Sequence, residues 1–204
     1  MTVRYLHRLS AIVVTGFAVA HIVNHLAGAA SPAAHIAIMA LLRKVYRAPV
    51  VEPGLLAALA FQICTGLFLL IRHARTRRGF IAWLQAGTGA YIALFLIIHV
   101  AAILAGRSVL HLDTNIYYAA AGLRVSPYRY FFIPYYSLAI PALFTHLACA
   151  AWWRFPASPA TVRHMIVLVP AALGIGLSVI VILGLAGALG PMTVPPAYLK
   201  TYSP

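Results

Sequence analysis

The chain has 204 residues, of which 63% are hydrophobic and 8% are charged, and its mean hydropathy is +0.93. Soluble domains carry about one quarter charged residues, so this composition excludes a soluble globular protein and predicts an integral membrane protein. The formal charge is +13, and the basic residues lie almost entirely between or beside apolar runs. We interpret them as topology signals, lipid headgroup contacts and docking points, not as a nucleic-acid-binding surface.

Five apolar segments are long enough to cross a bilayer core, which takes about 20 residues as a helix. A sixth segment, residues 33–47, is too short and too basic to span, and is typical of an amphipathic helix in the membrane interface. The predicted fold is therefore all-α: one transmembrane domain over residues 1–204, with five spanning helices and a short interfacial helix. The spans cover approximately residues 5–28, 53–73, 80–105, 131–153 and 165–189.

The fourth span contains Pro134 and Pro141. We expect both prolines to kink this helix and to free backbone carbonyl groups that neighbouring helices must satisfy.

The loop between the second and third spans, RHARTRRG, predicts the orientation of the chain. A dense arginine cluster in a short loop indicates the cytoplasmic side, which also places the N-terminus in the cytoplasm and the C-terminus outside. Tryptophans then fall at the inner interface and tyrosines at the outer one, so that aromatic residues lie at both membrane surfaces, in agreement with this orientation. The residues concerned are Arg72, Arg75, Arg77 and Arg78 in the loop, Trp83, Trp152 and Trp153 inside, and Tyr117, Tyr118, Tyr128 and Tyr130 outside.

Two histidines reach the same depth on separate spans. At about 1.5 Å per residue, His21 and His99 both lie roughly 10 Å below the outer surface of the hydrocarbon. Two imidazoles at one depth can hold haem b between them, whereas zinc lacks the carboxylates or thiolates that would complete four ligands. The alternative is a neutral histidine that hydrogen-bonds across the helices.

The inner half offers a second, incomplete pair, because His146 and Gln62 also share a level. Glutamine is a poor haem ligand. If a second haem binds at this level, His146 holds it alone or recruits an unexpected partner. Otherwise His146 and Gln62 hydrogen-bond across the bundle, which the sequence slightly favours.

Further polar residues accompany these pairs. His25 follows His21 by four residues and shares its face, so it can replace His21 as ligand, contact a haem propionate or line a quinone pocket. His7 returns to the same face near the inner interface. Glu52 is the one carboxylate near the membrane edge, and it suits either a proton relay or the first turn of a helix. The remaining histidines are predicted to lie on the surface: His35, His73, His111 and His164.

The third span reads WLQAGTGAYIALFLIIHV, from Trp83 to Val100. It resembles the pattern W..LQ..TG, then ten residues to HV, of the five-helix cytochrome b anchor subunit of succinate:quinone oxidoreductases, the succinate dehydrogenases and fumarate reductases. LHRLSAIVVTGFAVAHIVNH in the first span is similar to that family's RLHS and G.FL..H elements. FQICTGLFL resembles its H...G element with Gln62 in the histidine position, and FTHLACAAWW resembles its FH..NGLW element.

The resemblance implies a dihaem membrane anchor. Carried over, His21 and His99 hold the outer haem and His146 is half of the inner pair. Gln62 departs from the pattern, so the number of haems is one or two. Ala86 is a second departure, since such helices often carry an arginine there. The family also implies a flavoprotein with FAD and an iron–sulfur protein docked on the cytoplasmic face.

The first functional hypothesis is therefore a haem b anchor in the bacterial inner membrane. It passes electrons between cytoplasmic flavoprotein and iron–sulfur subunits and membrane quinone, and it does not oxidise succinate alone. His7, Arg8 and Ser10 are the candidate quinone contacts, with Glu52 as the outer alternative. Two other hypotheses are a haem-free tether for a partner protein and a small transporter. The lack of paired acids and of inverted repeats counts against the transporter.

Overall fold

The computed structural model describes residues 2–202, which fold into helices and contain no strand. The helices are α1 (Val3–Ala30), α2 (Pro32–Tyr46), α3 (Val51–Arg72), α4 (Phe80–Ser108), α5 (Ile116–Arg124), α6 (Arg129–Trp152), α7 (Ala160–Ala186) and α8 (Pro196–Leu199). Side-chain caps mark the starts of α1 and α2: Thr2 accepts a hydrogen bond from the Tyr5 amide, and Ser31, which precedes Pro32, accepts one from the Ala34 amide.

The all-α prediction and the five long apolar helices are confirmed. Helices α1, α3, α4, α6 and α7 are long and apolar enough to cross a membrane. The largest error in the predicted ends is at α7, which begins at Ala160 and not at residue 165. The short helix α5 was not predicted; Asn115 caps its start by accepting a hydrogen bond from the Tyr117 amide.

The five long helices form a closed ring in the order α1, α3, α4, α6, α7, with α7 packed against α1 again. Helices α1 and α4 are not adjacent in this ring, so side chains that join them must cross its interior. At one end of the ring lies the arginine-rich loop 73–79, and we call this the arginine-loop end. At the other end, which we call the α5 end, α5 packs against α6, α7 and α8, and α2 packs against α1.

Large apolar side chains cover the outside of the long helices. Ile12 is 69% exposed, Ile71 is 74% exposed and Leu168 is 61% exposed. Soluble monomers rarely expose contiguous apolar surface of this kind, whereas lipid covers it in a membrane. The chain is thus built as a multi-pass membrane bundle.

The backbone carbonyl that Pro141 leaves free is satisfied by the next helix. Proline has no amide hydrogen, so the carbonyl of Ser137, four residues earlier, loses its helical partner. The Ser178 hydroxyl on α7 donates to that carbonyl at 2.7 Å. Gly174 permits the close approach, since a Cβ there would lie 3.0 Å from the Pro141 Cα. The expected rescue of a freed carbonyl by a neighbouring helix is confirmed at Pro141.

Candidate functional site

The rings of His21 and His99 meet inside the bundle. His21 comes from α1 and His99 from α4, and their ring centroids lie 6.0 Å apart with an angle of 71° between the planes. Two metal–nitrogen bonds of about 2 Å each, plus the distance from each nitrogen to its ring centre, total roughly 6 Å. The spacing therefore suits one metal ion between the two imidazoles.

Aromatic rings flank this pair on both sides. Phe17 stacks on His21 with centroids 5.6 Å apart, and Phe95 stacks on His99 with centroids 5.1 Å apart. These contacts restrict how far each imidazole can rotate about its side-chain bonds. The surroundings of the pair are thus apolar and aromatic, which suits a flat macrocycle.

His25 lies beside His21, as the spacing of four residues predicts. Nε2 of His25 is 3.2 Å from Nε2 of His21, and the ring centroids are 4.6 Å apart. One of the two rings donates this hydrogen bond and the other accepts it. Metal binding at His21 Nε2 would replace the contact and free His25 for another partner.

The prediction that His35 lies on the surface is wrong. His35 is 2% exposed, because α2 folds back against α1 and α5 covers the junction. Its Nε2 lies 3.1 Å from the Asn24 amide nitrogen, and its ring centroid is 5.2 Å from that of His25. Burial lowers the pKa of His35 to about 4, and the charges of His21 and Arg43 act in the same direction.

Three buried polar atoms around His25 have no hydrogen-bond partner among the described residues. They are Oδ1 of Asn24, Nδ1 of His25 and Nδ1 of His35. Buried polar atoms are normally paired, so an unpaired group of this kind indicates a polar partner such as a water or a ligand group. Four histidines therefore form one polar cluster, which we call the α5-end cluster: His21, His25, His35 and His99.

A second feature is a cavity of about 760 Å³ that extends from the arginine-loop end into the interior, between α1, α3, α4 and α6. Most of its surface is apolar, and half of its lining residues are aliphatic. His7, Gln62 and His146 supply polar groups inside, and Arg8 is among the arginines near its entrance. The volume lies within the range of about 300–1,000 Å³ that is usual for cofactor and ligand sites. We call it the inner cavity.

The expected hydrogen bond between Gln62 and His146 is not formed. Instead the Gln62 amide nitrogen lies 3.1 Å from Nε2 of His7, and the Ser10 hydroxyl donates to the Gln62 side-chain oxygen. The reason is that α1 is a neighbour of α3 in the ring, whereas α6 lies across the cavity. The predicted group of His7, Arg8 and Ser10 is partly brought together: His7 and Ser10 share Gln62, while Arg8 lines the cavity without joining this network.

His146 is held by α4 instead. Its Nδ1 is 3.0 Å from the backbone carbonyl oxygen of Gln85 and 3.4 Å from the Thr88 hydroxyl. Gly89 makes room for the ring, since a Cβ at this position would lie 2.8 Å from the His146 Cε1. A side chain at residue 89 would therefore push His146 away from Gln85.

Both carboxylates of the chain are paired with arginine at the α5 end. Glu52, in the first turn of α3, forms a salt bridge with Arg107 of α4. Asp113 lies 2.6 Å from Arg43 of α2. These pairs join neighbouring elements, and the helix-start interpretation of Glu52 is confirmed.

The other three histidines belong neither to the α5-end cluster nor to the hydrogen-bond network of Gln62, although His73 lines the inner cavity. His111 and His164 are exposed, as predicted. His73 is partly exposed at the arginine-loop end, where its Nε2 lies 3.1 Å from a guanidinium nitrogen of Arg4.

The residues of the α5-end cluster fit a haem group, on three observations. Two imidazoles lie at a suitable spacing, their surroundings are aromatic, and unpaired polar atoms lie alongside. Within residues 2–202 no three His, Cys, Asp or Glu side chains are grouped to hold a metal ion by themselves. A macrocycle supplies its own four equatorial nitrogens, so two protein ligands suffice for it.

Comparisons with protein-family models, with curated proteins and with solved structures found no match to this chain.

Sequence reasoning missed His35 and Asn24 in the α5-end cluster and Gln85 beside His146. Asn24 had a usable signal: it is an amide inside an apolar span, one residue before His25, and an amide at membrane depth requires a partner. His35 had none, because its burial depends on how α2 turns at Ser31 and on the unpredicted helix α5.

Proposed function

We propose that this chain is a haem b-binding membrane subunit that carries electrons between a membrane quinone and partner proteins. The observation that carries the proposal is the meeting of His21 and His99, from helices that are not adjacent, at a ring spacing of 6.0 Å. A haem held there would supply a one-electron carrier inside the membrane. The anchor subunit of succinate:quinone oxidoreductases, which the helix motifs resemble, is the corresponding class of protein.

In this proposal each residue of the α5-end cluster has a distinct task. His21 and His99 bind the iron through ring nitrogens. Phe17 and Phe95 keep the two imidazoles oriented by stacking on them. His25, released from His21, offers a hydrogen bond to a haem propionate or to a quinone, and Glu52, the outer quinone candidate, lies at the same end of the bundle in its salt bridge with Arg107.

The arginine-loop end suits the docking of partner proteins. Exposed arginines of this end include Arg75, Arg78 and Arg154. A basic surface attracts acidic partners and also follows the positive-inside rule. We propose that this end faces the cytoplasm of a bacterium, with the chain in the inner membrane, and that it contacts an FAD flavoprotein and an iron–sulfur protein there.

The test is a reduced-minus-oxidised absorbance spectrum of the purified protein, with haem content determined per chain. The wild-type protein is expected to show a haem b spectrum. His21→Ala and His99→Ala should each remove the haem held by this pair, because the haem would lose one of the two protein ligands that hold it.

His111→Ala is the matched control, since His111 is an exposed histidine. Its haem content should equal that of the wild-type protein. A wild-type protein without haem would refute the proposal in favour of a tether or a transporter. Full haem content in both His21→Ala and His99→Ala would refute the assignment of the ligands.

A further inference from the structure

We propose that the inner cavity is a second haem site in which His7 and His146 are the axial ligands. His7 of α1 then replaces the α3 histidine of the cytochrome b motif, because this chain has Gln62 at that position. The proposal rests on the proposed function for the class of cofactor, but it concerns a different cavity and different ligands. It therefore succeeds or fails on separate measurements.

His7 presents an unprotonated Nε2. The Thr65 hydroxyl donates its hydrogen to the Phe61 carbonyl at 2.7 Å, so its oxygen is left to accept from Nδ1 of His7, 2.8 Å away. The proton of a neutral His7 is thus on Nδ1. Nε2 has a free lone pair, which in this structure faces the amide nitrogen of Gln62.

Gln62 is oriented for the same arrangement. Its side-chain oxygen accepts a hydrogen bond from Ser10, which turns its amide hydrogens toward His7. An amide nitrogen cannot act as an acceptor, so it can only face a ring nitrogen that carries no proton. Iron at His7 Nε2 would replace this single contact, and Gln62 would keep its bond to Ser10.

His146 presents an unprotonated Nε2 as well. Its Nδ1 lies 3.0 Å from the Gln85 carbonyl, which only accepts hydrogen bonds, so the ring proton is on Nδ1. Histidine ligands of metals commonly have the second ring nitrogen fixed by a carbonyl in this way. Gln85 is itself anchored, because its side-chain oxygen accepts from Trp153 at 2.8 Å.

The two histidines reach the cavity from separate walls. Both line it, and their helices α1 and α6 are not adjacent in the ring. Each ring lies against a glycine of a neighbouring helix. A Cβ on Gly66 of α3 would be 3.3 Å from the His7 Cε1, and one on Gly89 of α4 would be 2.8 Å from the His146 Cε1. Glycine at both positions keeps the rings beside the cavity wall and leaves its centre free.

The entrance of the cavity suits the carboxylates of a haem. The lining there includes Arg4, Arg8, Arg77 and Arg78, and the depth of the cavity is lined mainly by aliphatic side chains. An apolar interior with a cationic entrance matches a planar apolar ring that carries two acidic groups at one edge. Guanidinium groups bind carboxylates strongly, often through two parallel hydrogen bonds.

The first experiment counts haems per chain and measures their redox midpoints in the purified protein. The wild-type protein is expected to hold two haems. His7→Ala and His146→Ala should each leave one, whereas His21→Ala should leave the other. His7→Met should keep two haems and raise one midpoint only, because a methionine ligand raises the potential of a histidine-ligated haem.

His164→Met is the matched control for the methionine variant, since His164 is exposed at the same end of the bundle. It should leave the haem count and both midpoints unchanged. An unchanged pair of midpoints in His7→Met would overturn the assignment of His7, even if His7→Ala fails to fold.

Gln62 provides a second, independent test. Gln62→His should leave the count at two, because His7 already supplies the ligand. If the wild-type protein holds one haem and Gln62→His raises the count to two, the inference is wrong while the proposed function stands. If the wild-type protein holds none, the proposed function has failed and the inference with it.

A pair of glycine variants on α4 separates the cavity from general destabilisation. Gly89→Ala places a methyl group against the His146 ring and should lower the haem count toward one. Gly87→Ala meets nothing within 4 Å and should leave it at two. Equal haem counts in the two variants would contradict the position assigned to His146.

Discussion

His35 shows how a single buried residue can make the stability of the protein depend on pH. Its pKa is about 4 in the folded protein, because burial disfavours the charged ring, whereas a histidine in the unfolded chain has a pKa of about 6.5. Between these two values the unfolded state binds more protons than the folded state. The contribution of neutral His35 to the free energy of unfolding should therefore be complete above about pH 6.5. It should be lost as the pH is lowered toward 4.

The prediction is that His35→Gln makes the stability less dependent on pH. Thermal unfolding in detergent, followed from pH 7 to pH 5, should show a steeper loss of Tm for the wild-type protein than for the variant. The exposed residue His111 gives the control, since His111→Gln should retain the wild-type slope. Identical slopes in the wild-type protein and His35→Gln would show that His35 does not titrate on unfolding.

At the scale of the secondary-structure element, α6 depends on α7 for one of its backbone hydrogen bonds. Pro141 removes the helical partner of the Ser137 carbonyl, and Ser178 replaces it. Such hydrogen bonds between membrane helices contribute about 1 kcal/mol. Ser178→Ala should therefore lower the free energy of unfolding by about that amount.

The matched control is Ser108→Ala, because Ser108 is exposed and its hydroxyl bonds only to the Leu104 carbonyl of its own helix. Both variants can be compared by denaturation in mixed micelles. If Ser178→Ala is as stable as Ser108→Ala, the Ser137 carbonyl is satisfied in another way.

The elements also show where sequence reasoning succeeds and where it stops. The long spans were predictable, because each is an uninterrupted apolar run whose length is set by the bilayer. The rescue of a carbonyl freed by Pro141 was also predictable from the chemistry of proline. Helix α5 was not, since its nine residues are too few for a span and lie in the connection between two spans, and its alanines favour a helix without showing where it packs.

The candidate site was predictable to the extent that helix depth determines it. Depth alone brought His21 and His99 to one level, and the structure places their rings together. Depth does not say which helices are neighbours, and for this reason the predicted bond between Gln62 and His146 is wrong. In the ring, Gln62 faces α1 and bonds to His7.

At the scale of the whole molecule, the two ends of the bundle differ in charge pairing. The α5 end contains both carboxylates, each bonded to an arginine. The arginine-loop end has no acidic residue, because Glu52 and Asp113 are the only two acids in the chain. A partner that docks at the arginine-loop end should therefore bind mainly through charge attraction, which salt screens.

Charge reversal at the arginine-loop end should weaken this docking. Arg75→Glu is expected to reduce copurification of the proposed flavoprotein and iron–sulfur partners and to make the remaining complex more sensitive to salt. Lys44→Glu, an exposed change at the α5 end, makes the same alteration in net charge and should have no effect. Equal losses in the two variants would place the partner elsewhere.

The closed ring of five helices surrounds the interior position that we propose for the haem. Each helix packs against its two neighbours around the ring, and the side chains of His21 and His99 meet across the interior. The central claim is that His99 is an iron ligand that completes such a crossing with His21.

Haem binding by His99→Gly, with and without added imidazole, tests this claim most directly. The α5-end haem should be absent from the variant alone and should return with a six-coordinate, low-spin spectrum when imidazole occupies the vacated space. Ile97→Gly, at an exposed position on the same helix, controls for the cost of glycine in α4 and should keep its haem without imidazole. A His99→Gly protein that retains its full haem content and low-spin spectrum without imidazole would contradict the account.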